Sequence, residues 1–73
     1  MSELKEAIAK CMRIKRAEKG MTQADLAIAS GVSSDAISSY ERGASLPLLE
    51  TAYKLAEALD CTVNDLCGFT KEL

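Results

Sequence analysis

The chain has 73 residues, 48% of them hydrophobic, with a formal net charge of −2 and a pI of about 5.0. A chain this short forms one domain that buries only about 60% of its unfolded surface, and its apolar share excludes wholesale disorder. No apolar run approaches the ~18 residues of a membrane span, and the N-terminus shows no apolar leader, so the expectation is a cytoplasmic protein without membrane contact.

Apolar residues recur at helical spacing throughout, and no stretch alternates with period two. Leu4, Ile8 and Met12 form an i, i+4 stripe with Ala7 and Cys11 beside it, which predicts helix 1, closed by Gly20. Arg16 extends that stripe by one more step, so it faces the core rather than solvent. One N-terminal device then appears three times. Thr22 with Asp25, Ser33 with Asp35, and Thr62 with Asp65 each offer a capping hydroxyl and an early carboxylate. Each set is flanked by an apolar pair that can staple the entering chain: Met21–Leu26, Val32–Ile37 and Cys61–Leu66. Helices 2, 3 and 5 therefore begin near residues 23, 34 and 63. Helix 4 is expected from Pro47, a residue favoured in the first helical position, with Leu49, Ala52, Tyr53, Ala56 and Leu59 as its apolar side. Phe69 to Leu73 carries no clear signal.

The expected fold is all-α, five short helices in a single domain over residues 1–73. Only Gly31-Val32-Ser33 separates helices 2 and 3, which is the spacing of a helix-turn-helix. On a helical wheel, Ala36, Ile37 and Tyr40 of helix 3 share one side. Ser34, Asp35, Ser38, Ser39 and Arg42 share the other, with Glu41 at the boundary. So slim a polar side fits a major groove about 12 Å wide, and hydroxyls suit both phosphate and base edges. It is also compatible with a merely solvated surface. The charge distribution bears on the choice. Residues 1–43 carry seven Lys/Arg against six Asp/Glu, and residues 44–73 carry two against five. An anionic partner is therefore expected on the first half. Cys11, Cys61 and Cys67, with no histidine in the chain, make neither a disulfide framework nor a zinc site; buried, reduced thiols are expected. The chain offers no nucleophile–base pair, phosphate loop or metal spacing, which argues against an enzyme, a cofactor or a small-molecule ligand.

Residues 14–68 resemble the Cro/phage-repressor-like (Xre-type) helix-turn-helix family. The resemblance is carried by IKRAEKGMTQADLAIASGVSSDAISSYERG and LPLLETAYKLAEALDCTVNDL. It implies a lambda-repressor-like DNA-binding domain that inserts helix 3, residues 34–42, into the major groove as a dimer, and so a transcriptional regulator, a repressor first of all. It further implies that Gln23 and Ser33 meet phosphates, that Ser34, Asp35 and Ser39 lie where base edges are read with Ser38 beside them, and that Arg42 contacts the backbone. It pairs Arg16 with Glu41 in an ion pair tying helix 1 to the end of helix 3. Asp35 has two readings: an acceptor for cytosine N4, or a first-turn carboxylate that supports its own helix. Lys15 and Lys19 flank the helix 1–2 turn, where they either add charge toward DNA or stay solvated. Helix 5 and the tail, with Leu66, Phe69 and Leu73, are the expected dimer contact, unless they pack on the chain's own helix 1. The alternative function is a protein-interaction module or antitoxin-type partner that reuses this fold with weak DNA binding.

Overall fold

A computed structural model describes residues 3–68. It is all-helical: α1 (Glu3–Glu18), α2 (Gln23–Ser30), α3 (Ser34–Glu41), α4 (Leu49–Ala58) and α5 (Val63–Cys67). None of these helices is long and apolar enough to cross a membrane.

Local chemistry sets the helix starts. Thr22 Oγ1 accepts from the Asp25 amide at 3.0 Å while the Asp25 carboxylate accepts from the Thr22 amide at 2.9 Å. The same reciprocal pair joins Thr62 and Asp65, and Ser33 Oγ accepts from the Ala36 amide. Each capping set satisfies amides that have no partner within the helix. In all three staples the inner residue (Leu26, Ile37, Leu66) is fully buried, and its outer partner packs against the core. Helix ends are as regular. In α1, α3 and α4 the last turn closes with two backbone bonds: Met21 N–H to Arg16 C=O and Gly20 N–H to Ala17 C=O in α1, and equivalent pairs after α3 and α4. This closure puts the residue after the cap in the left-handed region. Gly20 and Gly43 occupy it freely, whereas Asp60 occupies it with a side chain, at φ 56°.

The helices touch in a closed ring, α1–α3–α2–α4–α5 and back to α1. Five side chains with no exposed surface fill the ring, one from each helix: Met12, Leu26, Ile37, Leu55 and Leu66. Each such burial stabilises by about 1.5–3 kcal/mol. Because every helix contributes one, no helix can be removed without opening the core.

Packing redraws several expectations. The α1 stripe is buried only from Ile8 onward; Leu4 is 42% exposed and Ala9 is buried instead. Helix 4 starts at Leu49, two residues after Pro47, with Leu48 as an uncapped entry. Neither Leu46 nor Leu48 has a side chain that can accept an amide, so local capping does not select the start and the core contact does. The core side of α4 is Ala52, Leu55, Ala56 and Leu59, while Leu49 and Tyr53 are 77% and 60% exposed. The three cysteines are free and half-buried rather than buried. Cys11 Sγ donates to the Asp65 carbonyl at 3.0 Å, joining α1 to α5, and Leu66 lies wholly in the core, closed to any partner chain. Phe69 and Leu73 lie outside the described residues.

Candidate nucleic-acid interface

Glu41 occupies the last position of α3 and is the one buried charged residue among those described, 4% exposed. Isolating a carboxylate is costly unless it is paired and hydrogen-bonded. Here both oxygens are occupied. Arg16 donates from Nε to Oε2 at 2.8 Å and from Nη2 to Oε1 at 3.0 Å, a bidentate fork. Its remaining terminal nitrogen donates to the Met21 carbonyl at 2.8 Å. Gln23 Nε2 donates to Oε1 at 3.1 Å, and Arg13 Nη1 donates to the Glu41 backbone carbonyl. Burial is the largest single influence on the Glu41 carboxyl and pushes its pKa up. The hydrogen bonds from Arg16 and Gln23 and the positive charges of Arg16 and Arg13 together outweigh it and leave the carboxyl below its ordinary value. The hydrogen bond to Glu41 also raises the Arg16 pKa, against the opposing effect of burial. The cluster thus clamps α1, the start of α2 and the end of α3 at one point.

That clamp fixes which side of α3 turns outward. Ile37 and Glu41, one turn apart, both point inward. Ser33, Ser34, Asp35 and Arg42 are exposed, and Ser38 and Ser39 are half-buried. The outer side therefore carries no large apolar group. Ser39 Oγ lies 2.7 Å from Ser45 Oγ, so its hydroxyl is tied to the loop that follows α3. Ser33 spends one acceptor site on its own helix cap. Among the described residues, Ser34, Asp35 and Arg42 show no such side-chain bond. Gln23, expected to reach outward, is half-buried and directs an amide N–H to Glu41.

The flanking lysines sit elsewhere. Lys19 pairs with Asp60 at 2.7 Å across the turn after α4, a link that holds the Asp60 carboxyl below its ordinary pKa. Lys15 exerts its charge on Cys11, Cys61 and Asp65, which places it toward α5 rather than beside α3. The links from Gln23 and Arg13 to Glu41 and the Ser39–Ser45 bond escaped sequence reasoning. Each joins residues separated by a turn or a crossing; only the one-turn spacing of Arg13 and Arg16 hinted at a shared target.

A helix-turn-helix family model, HTH_3, matches residues 12–66. The chain is 40% identical over 47 residues to the cryptic phage CTXphi transcriptional repressor RstR of Vibrio cholerae; the match covers 64% of this chain and 42% of RstR. It is 42% identical over 57 residues to an HTH-type transcriptional regulator of Sinorhizobium fredii, covering 78% of this chain and 74% of that one. Among solved structures, the restriction-modification controller protein C.AhdI of Aeromonas hydrophila superposes with a TM-score of 0.80 at 32% identity, over 85% of this chain and 94% of that one. The chain thus spans less than half of RstR and most of the other two.

Proposed function

The chain belongs to the helix-turn-helix family, and on that premise we propose that it is a sequence-specific DNA-binding transcriptional regulator, a repressor, acting as one domain over residues 1–73. In this reading α3 enters the major groove, and Ser34, Asp35, Ser38 and Ser39 line the surface that meets base edges. Ser33 and Gln23 lie at the starts of α3 and α2, where free amides and the helix dipole favour phosphate. Arg42, at the end of α3, meets the backbone. The observation that carries the reading is the clamp on Glu41, which holds a slim, polar side of α3 outward. The name of one relative, the transcriptional repressor RstR, supports the direction of regulation.

The short hydroxyl side chains make few bidentate base contacts, and bidentate contacts are the stronger discriminators. Affinity then rests chiefly on phosphate contacts and on operator shape, and falls steeply with salt. Regulators of this design pair two half-sites about 34 Å apart, so the functional unit is a homodimer. Free, unbridged thiols accord with a cytoplasmic setting.

Selection from random duplexes at two salt concentrations tests the proposal. An enriched sequence with two related half-sites, bound more weakly at the higher salt, is expected. No enrichment at either concentration would overturn it in favour of a protein-interaction module.

A further inference from the structure

Helix α4 presents to solvent what α3 does not. Leu48 and Leu49 are each 77% exposed and Tyr53 is 60% exposed, a contiguous patch at the start of the helix. Together they offer on the order of 400 Å² of side-chain surface, within the range of functional apolar patches on small proteins. The patch runs into a shallow groove of about 300 Å³ between α4 and α5, lined by Tyr53, Ala56, Cys61 and Val63. Its outer flank carries the exposed charges Glu50, Lys54 and Glu57.

We propose that this face of α4 binds a second copy of the chain, the two α4 helices crossing antiparallel about a twofold axis. The argument is self-complementarity. Leu49 and Tyr53 are four residues apart, and so are Glu50 and Lys54. A twofold axis perpendicular to the plane of two antiparallel helices keeps the same flank of each on the same side. The register that sets Leu49 against Tyr53 of the second copy leaves Glu50 and Lys54 of that copy offset by about 3 Å along the helix axis, a gap their long side chains can span, and each pair occurs twice. An isologous contact needs this kind of self-matching. About 400 Å² from each copy, extended by the groove and the charged flank, falls at the small end of specific interfaces. The dimer is accordingly reversible and concentration-dependent. The inference deepens the homodimer part of the proposed function and does not use DNA.

Sedimentation equilibrium of the full chain without DNA tests it. Wild type is expected to show a monomer–dimer equilibrium, and Leu49→Glu or Tyr53→Ala to raise its dissociation constant by about thirtyfold. Both residues are exposed, so helical circular dichroism, and the melting transition at concentrations where wild type is monomeric, should be unchanged. Glu50→Lys and Lys54→Glu should each weaken the dimer by about fivefold, and the two combined in one chain should restore it. Phe69→Glu should leave it intact. A dimer that survives Leu49→Glu, or that fails with Phe69→Glu, overturns this face while leaving the homodimer reading standing. Failure of the double charge exchange to restore association overturns the antiparallel register. A wild-type chain that stays monomeric to about 500 µM, a millimolar-range affinity at best, overturns the face and the homodimer together.

Discussion

Helices α3 and α4 follow one another in the chain, and each buries one side in the same core. Their outer sides differ. That of α3 is serine, aspartate and arginine without a large apolar group, and its orientation is fixed by the Glu41 clamp. That of α4 exposes two leucines and a tyrosine and has no comparable anchor. Where composition and burial disagree, as at Leu49, a surface is read for what it meets. Where they agree, as at Ile37, it is read for what it holds together.

The sharpest test of this contrast removes an aliphatic side chain from each helix. Ile37→Ala empties a fully buried position and should cost about 3 kcal/mol in urea denaturation. That is a large share of the roughly 4–10 kcal/mol available to a domain of this length. Glu41→Gln comes next. It leaves Arg16 without a carboxylate, but the Arg16 side chain is 21% exposed, so the loss should stay near the lower end for buried pairs, about 2–3 kcal/mol. An unchanged denaturation midpoint would show that Arg16 and Gln23 are satisfied without the charge.

Acid titration reads the same clamp a second way. The folded carboxyl of Glu41 lies below its unfolded value, so its contribution is complete above about pH 4.3 and is lost as pH falls through the lower folded pKa. Wild type should lose stability across that acidic window, and Glu41→Gln should flatten the slope in part. Asp25 and Asp65, lowered by their bonds to Thr22 and Thr62, leave a residual slope. On the outer side of α3, Arg42→Ala should leave folding unchanged and weaken DNA binding about tenfold, with the log–log salt slope shallower by about 0.9. The smallest effect closes the comparison. Leu49→Ala should change stability by no more than about 0.5 kcal/mol despite removing the same class of side chain as Ile37→Ala. A larger loss would mean that Leu49 serves the monomer's core.

What was legible in the sequence was what is encoded locally. Thr22, Ser33 and Thr62 announce their helices through bonds spanning three residues, and all three starts are where those residues put them. The inward turn of Arg16 was also readable, because i+4 spacing extends a stripe. Helix 4 was less legible. With no polar cap at its start and apolar residues around much of its circumference, periodicity alone did not separate Leu55, which is buried, from Leu49 and Tyr53, which are not. Bonds that cross the fold, such as Gln23 to Glu41 and Lys19 to Asp60, leave no spacing signal at all.

The bond from Cys11 to the Asp65 carbonyl has a temporal side. It closes a helix ring between residues 54 positions apart, and translation at about 5–20 residues per second separates the two by about 3–11 s. Through that interval α1 waits on the ribosome with the inner side of Ile8 and Met12 uncovered by α5. The early helices can form on their own caps, but the ring closes only when α5 emerges.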